Sequence, residues 1–399
     1  MRAAPQIFAA TAILFLACLL AFHAPSANAQ PASAPAMNAQ PSRVSPKSDQ
    51  AIQQLLAHKL APELLGEDSI GGIGVAVYAC GQTQYFDYGF ADMASHRRVT
   101  PDSLFNIASL RKVMEATTLA DAVERGEVKL SDPVAQYVTE LKAGGAIRAV
   151  TLGQLASHTS GLLLPPDHPP WPTKGYSFDE FVNVLNAWTP DPGHAPGEAP
   201  RYTHAGYVLL QVALERRFHQ SIFPLLEDRV LKPLGMTETV LRERPLHGEP
   251  QPPLAGAVQG YGDDGKPIGA PGNQQSYFDF AGTGQMFSSL RDLARLAAAN
   301  LGGVPVAPSL RAAMLRAQHP VAPYSAHISQ AMAWEVSDEN GVTIIDKPAG
   351  IDNASAYIGL LPDRQIGLVI LMNRGNRNPH PIARTTLLPE MARVVSCER

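Results

Sequence analysis

The chain has 399 residues, 45% of them hydrophobic, enough to bury the core of one large domain or two. Its formal net charge of −4 comes without a basic cluster, which sets nucleic acid aside as a partner. Beyond an N-terminal run, no apolar stretch approaches the roughly 18 residues that a membrane span needs, so no stable span is expected once that run is removed.

Arg2 precedes an apolar run from Ile7 to Phe22, and Ala27-Asn28-Ala29 offers a small-x-small cleavage site before Gln30. A positive start, a short apolar core and small residues at that spacing predict a signal peptide over residues 1–29 and a secreted or periplasmic product. Apolar residues continue past Cys18, which argues against a lipid anchor there. Cleavage leaves Cys80 and Cys397. In an oxidising compartment the two can pair, and two separate thiols fit the sequence equally well.

Residues 30–48, rich in Pro, Ala and Ser with no apolar period, predict a disordered tether. A helix is expected from Asp49 to Leu60. The run Ile73–Ala79 reads as a buried strand, and Gly81 turns the chain into a second strand, Gln84–Gly89. Gly71, Gly72 and Gly74 are not followed by a helix, so they do not make a dinucleotide site. From residue 105 to 274 helical periods dominate, broken by proline-rich loops at Pro165–Pro172 and Pro190–Pro200. A helix ending at Leu234 precedes Gly235, and another is expected over Ser289–Asn300. Strands return at Ala331–Val336, Val342–Asp346, Ala354–Leu361 and Gly367–Met372, with a closing helix over Pro381–Cys397. The economical reading is a mixed α/β domain over residues 49–397. Its antiparallel sheet comes from both chain ends (49–104 and 275–397), is flanked by helices, and has a mainly helical region, 105–274, inserted.

The chemistry begins at Ser109-Leu110-Arg111-Lys112. Residues three apart on a helix are neighbours, so the Lys112 amine can reach the Ser109 hydroxyl. A free serine is a poor nucleophile near neutral pH. An amine held neutral by burial can take its proton. No Gly-x-Ser-x-Gly surrounds Ser109, which excludes a nucleophile elbow. There is no His-Glu-x-x-His and the cysteines lie far apart, so no metal is expected. His158 reads as a loop brace, and Trp171, Trp188 and Trp334 as packing residues.

Three further segments join this pair: Ser157-His158-Thr159-Ser160-Gly161, Arg201-Tyr202-Thr203-His204, and Lys347-Pro348-Ala349-Gly350. With Pro233-Leu234-Gly235-Met236, Gly282-Thr283-Gly284 and Leu371-Met372-Asn373-Arg374 in the same order, the chain resembles the serine β-lactamase and penicillin-binding-protein superfamily, most closely its class C-like branch. The resemblance spans Gln53 to Arg393. It implies a β-lactamase/transpeptidase-like fold, no cofactor, and a small-molecule or peptidoglycan-derived substrate, with a monomer as the default expectation.

It also implies roles. Ser109 attacks an amide or ester carbonyl and is acylated. Lys112 and Tyr202 handle protons, and Lys347 is an electrostatic anchor. The backbone N–H groups of Ser109 and Gly350 form an oxyanion hole. Two positions depart from the family pattern. His204 stands where the family's Tyr-x-Asn motif has Asn, and Pro348 and Ala349 replace the Thr and Gly of its Lys-Thr-Gly motif. A class C-like β-lactamase is the leading expectation. A D-alanyl-D-alanine carboxypeptidase or endopeptidase, an esterase, and a non-catalytic penicillin- or peptidoglycan-binding protein are the alternatives.

Overall fold

A computed structural model describes residues 42–163, 177–242, 252–272, 285–339, 341–375 and 377–398. The expected signal peptide, the Pro165–Pro172 loop, Trp171 and Gly282-Thr283-Gly284 lie outside the described residues.

Nine strands form the principal sheet: β1 (Gly72–Ala79), β2 (Gln82–Asp92), β3 (Arg97–Arg98), β4 (Ala322–Pro323), β5 (Ile328–Gln330), β6 (Glu335–Asp338), β7 (Thr343–Ile351), β8 (Ala354–Leu361) and β9 (Ile366–Met372). Their spatial order is β3-β2-β1-β9-β8-β7-β6-β5-β4, every pairing antiparallel, so the N-terminal hairpin docks on the C-terminal strands through β1 and β9. Helices cover both faces, which is why β1 and β9 read as unbroken apolar runs, β8 as one interrupted by Ser355, and all three are buried at every residue. Side chains alternate between two cores. Ile73, Val75 and Val77 face the one closed by Ile52, Leu56, Leu388 and Met391, whereas Ala76 and Tyr78 face the one shared with the helical region.

On the first face lie α1 (Pro46–Leu55), capped by the Ser45 side chain, and the C-terminal segment His380–Val394. Ser48 ties them together, its Oγ donating to Val394 O at 2.7 Å and accepting from Ser396 N–H at 3.0 Å. On the second face α2 (Arg111–Glu124) is buried from Arg111 to Ala122, so it is the interior helix of that side. The helices α3 (His204–Phe218), α4 (Leu290–Asn300) and α5 (Pro308–Gln318) complete this layer; α4 packs on β1 and β9, and α5 on α2. Truncating a fully buried leucine here, such as Leu119, removes about 2–5 kcal/mol.

Three sequence expectations shift. Order begins before residue 48, because Arg43–Val44 pairs antiparallel with Cys397–Glu398. Cys397 therefore sits in a short strand beyond the last helix, and it is bonded there to Cys80. The segment Lys347–Gly350 was expected between strands and lies inside β7. Pro348 is tolerated because β6 pairs with β7 only as far as Asp346. The Lys347–Ile351 half thus has one backbone edge outside that ladder, where a missing N–H costs nothing.

Candidate active site

Phe105–Asn106 pairs with Met286–Ser288 and then hands the chain to a 3₁₀ turn, Ala108–Leu110, that runs directly into α2. Ala108 takes φ 46°, a left-handed conformation uncommon outside glycine, and Asn106 Oδ1 steadies it by accepting from its N–H at 3.0 Å. With Ile107, Ala108 and Leu110 fully buried, the turn has no freedom to rotate. Ser109, 9% exposed, is fixed at the edge of the cleft.

One turn on, the Lys112 side chain is wholly buried and its Nζ donates to Ser109 Oγ at 3.2 Å. From the irregular stretch ahead of α3, Tyr202 brings its Oη to 2.7 Å from the same oxygen. The Ser109 hydroxyl thus has an amine and a phenol within hydrogen-bond reach, an arrangement that can move a proton off a serine. Lys347 reaches in from β7, its Nζ 4.8 Å from the centre of the Tyr202 ring, with Lys112 Nζ at 5.4 Å from that ring. Burial holds Lys347 below the ordinary lysine range; Tyr202 draws it back up and the Lys112 charge pushes it down.

His204, the first residue of α3, sets its ring edge-on to Tyr202 at 5.3 Å. Burial, then the Lys112 and Lys347 charges, push its pKa down to about 2, so it is a neutral imidazole. Ala349, two residues from Lys347, shares its face of the sheet and packs against the core of the helical side. Gly350 is exposed at the unladdered edge, where an added Cβ would meet nothing nearer than Ala354 O at 3.8 Å. A cavity of about 580 Å³ opens beside it, walled also by Ile268, Asp263, Asp264 and Asp352. Burial and then the Asp263 charge raise the Asp352 carboxyl to about 6.

The structure thus brings Ser109, Lys112, Tyr202, His204 and Lys347 into one cluster, with Ala349 and Gly350 further along the Lys347 strand. Cys80 and Cys397 belong to the bridge between the first hairpin and the chain end, Sγ–Sγ 1.98 Å. Two residues of the cluster carry no expected site role. His158 lies with its ring centre 4.4 Å from that of Tyr202 and 5.0 Å from that of Tyr207. Tyr207 is fully buried and donates to Ala156 O at 2.6 Å. The nearest sequence signal for either is the Ser157–Gly161 segment, which says nothing about what lies above it.

Behind Lys347, Asp346 points to the opposite face. It accepts from Tyr357 Oη at 2.7 Å and Arg384 Nε at 2.9 Å, and Arg384 also bonds Glu335 at 2.6 Å. Glu335, Asp346 and His380 are close enough together to consider as metal ligands among the described residues. The Arg384 guanidinium already occupies the carboxylate oxygens such an ion would take.

A family model described as Beta-lactamase matches residues 49–392. A β-lactamase from Pseudomonas fluorescens is 26% identical over 361 residues, covering 82% of this chain and 95% of that protein. The solved D-alanine carboxypeptidase AmpC from Burkholderia cenocepacia superposes with a TM-score of 0.71 at 25% identity, covering 86% of this chain and 99% of that one. A class C β-lactamase shares the fold with a TM-score of 0.70 at 24% identity, over 88% of this chain and 96% of its own. With the Ser109 turn, the buried Lys112 and the antiparallel sheet in place, the chain belongs to the Beta-lactamase family of serine hydrolases.

Proposed function

We propose that this protein is an exported class C-like β-lactamase that works through an acyl-enzyme on Ser109. The observation that carries the reading is the convergence on one oxygen: Ser109 Oγ lies 2.7 Å from Tyr202 Oη and 3.2 Å from Lys112 Nζ. Ser109 attacks the carbonyl carbon and its proton passes to the Lys112–Tyr202 pair. The carbonyl oxygen, now an anion, is held by the N–H groups of Ser109 and Gly350. The amine leaves with the transferred proton, and water hydrolyses the ester that remains. A peptide N–H aimed at a developing oxyanion is typically worth about 3 kcal/mol, so the exposed Gly350 edge matters as much as the nucleophile. Lys347, charged beside Tyr202, attracts an anionic substrate group.

A second reading, a D-alanyl-D-alanine peptidase or esterase at the same site, is favoured by His204 and Pro348. A side-chain amide offers both an acceptor and two donors, whereas a neutral imidazole offers one of each from a wider ring. Pro348 supplies neither a hydroxyl nor an N–H.

The test compares wild type with Ser109→Ala on a chromogenic cephalosporin, a short-chain p-nitrophenyl ester and a D-Ala-D-Ala peptide, with mass spectrometry for the adduct. Turnover of the cephalosporin that disappears in Ser109→Ala supports the β-lactamase reading. A long-lived penicillin adduct with peptide or ester turnover moves the assignment to the second reading. No adduct and no turnover on any substrate rejects both.

Export rests on Arg2, the Ile7–Phe22 run and Ala27-Asn28-Ala29, and the Cys80–Cys397 bond fits an oxidising compartment. N-terminal sequencing of the mature protein should begin at Gln30; a cytoplasmic product with Met1 intact would overturn it.

A further inference from the structure

The two groups that receive the Ser109 proton are anchored differently. Lys112 is enclosed by a regular helix, whereas Tyr202 stands on irregular chain with 36% of its surface exposed. A hydrogen bond of 2.7 Å to Ser109 needs the phenol ring held from outside that stretch. The contacts that hold it converge on His158.

Both neighbours of Tyr202 bond this one residue. Arg201 N–H donates to the His158 carbonyl at 2.7 Å, and Thr203 N–H donates to His158 Nδ1 at 3.4 Å. Between these two bonds the Tyr202 ring lies on the imidazole, 4.4 Å between centres and tilted by 36°. The imidazole in turn lies 5.0 Å from Tyr207, which its own bond to Ala156 O pins to the helical layer. The stack Tyr202–His158–Tyr207 therefore runs from the exposed phenol to the buried core.

The identity of the residue follows from these contacts. The backbone at His158 is left-handed, φ 54°, a conformation that among residues with side chains favours Asn, Asp and His. Accepting at Nδ1 places the ring proton on Nε2, so the imidazole is neutral. That suits a buried position near Lys347 and Lys112, where burial first and then the neighbouring lysines disfavour a charged imidazole. His158 Nε2 is buried with no hydrogen-bond partner among the described residues. The ring thus offers Nδ1 as an acceptor and a flat face to Tyr202, at the cost of an unsatisfied Nε2–H.

We infer that His158 is a positioning residue for acylation, its neutral ring the platform that holds the Tyr202 phenol against Ser109. The inference rests on the acyl chemistry proposed above. The contacts of His158 run to Tyr202 and to the backbone on either side of it, so its effect on acylation passes through Tyr202.

A double-mutant cycle tests this, using His158→Asn, Tyr202→Phe and the double variant. Asn tolerates the left-handed backbone and can accept from Thr203 N–H, so the variant keeps the loop and loses only the ring. Thermal unfolding checks the fold of each variant. The readout is the single-turnover acylation rate on an activated p-nitrophenyl ester. His158→Asn is expected to lose about 30-fold in rate with KM within about 3-fold, and to add less than about 3-fold to the loss already caused by Tyr202→Phe. A histidine that merely stabilised the fold would multiply with Tyr202→Phe, and that additive result overturns the inference. So does a His158→Asn variant at the wild-type rate. Wild type that forms no acyl adduct at all overturns the acyl-enzyme reading and this inference with it. An additive cycle on an enzyme that does acylate overturns this inference alone.

Discussion

Ser109 Oγ and Tyr202 Oη meet at 2.7 Å across a sequence separation of 93 residues. The first is set by a turn locked into a buried helix, the second by a stack of rings rising from the helical layer. The distance is thus a product of packing on both sides of the cleft. Removing the phenol oxygen in Tyr202→Phe leaves that packing intact and deletes the group proposed to relay the Ser109 proton. We expect acylation to fall by about 10²–10⁴-fold, with the thermal midpoint changed little. Stopped-flow acylation by an activated ester measures it, and a rate within threefold of wild type would make Tyr202 a packing residue.

His204 sits edge-on to Tyr202 as a neutral ring where a side-chain amide could serve both the lysine and a substrate amide. His204→Asn should therefore raise kcat/KM for a cephalosporin, by about tenfold if one hydrogen bond to a charged or strongly polar partner is regained. Ester turnover should move less. An unchanged or lower cephalosporin rate rejects His204 as the element that weakens β-lactam recognition.

Much of this arrangement is legible in the sequence where the signal is local. Ser109 and Lys112 are one helical turn apart, and β1 and β9 are unbroken apolar runs because both their faces are covered. What stays hidden depends on distant partners. The strand Arg43–Val44 looks like tether until Cys397–Glu398 is beside it. Lys347–Gly350 reads as a link between two strands, because only the end of the β6 pairing at Asp346 leaves room for Pro348 inside β7. His158 reads as a loop brace because its role is set by Tyr202, forty-odd residues later, whose ring sequence spacing cannot place.

The buried histidines make stability depend on pH in a definite direction. His204 is pushed down to about 2 from an ordinary 6.5, and burial lowers His158 and His380 as well. Between those limits the unfolded chain binds protons that the folded chain refuses, so stability is full above 6.5 and declines as pH falls below it. For His204 alone the loss is about 2 kcal/mol by pH 5. Urea unfolding at neutral and acid pH should show the decline, and His204→Asn should flatten it. Equal slopes for wild type and variant would rule out a depressed His204.

The Cys80–Cys397 bond joins the first hairpin to the end of the chain over a separation of 317 residues. A link of that span restricts the unfolded chain, and its loss typically costs about 2–5 kcal/mol. Replacing both cysteines with serine should lower the thermal midpoint and loosen the Arg43–Val44 pairing, while leaving acylation at Ser109 unchanged. Free-thiol labelling of both cysteines in the untreated wild-type protein would dismiss the bond.

Asp346 precedes Lys347 in β7 and faces away from the cleft into the Arg384 guanidinium, fully buried. A lone carboxylate in that position has no water to turn to, so Arg384→Met should destabilise the protein by about 3–5 kcal/mol. Neutralising the partner as well, in Asp346→Asn with Arg384→Met, should recover most of that loss, because the desolvated charge is then gone. The same strand carries Lys347, and Asp346 is one of the charges that draw its pKa up. The double variant, which lacks that charge, should therefore also weaken binding of anionic substrates, read as a higher KM. Differential scanning calorimetry with KM for a penicillin separates the two effects. A double variant no more stable than Arg384→Met alone would show that the guanidinium acts by packing rather than by balancing Asp346.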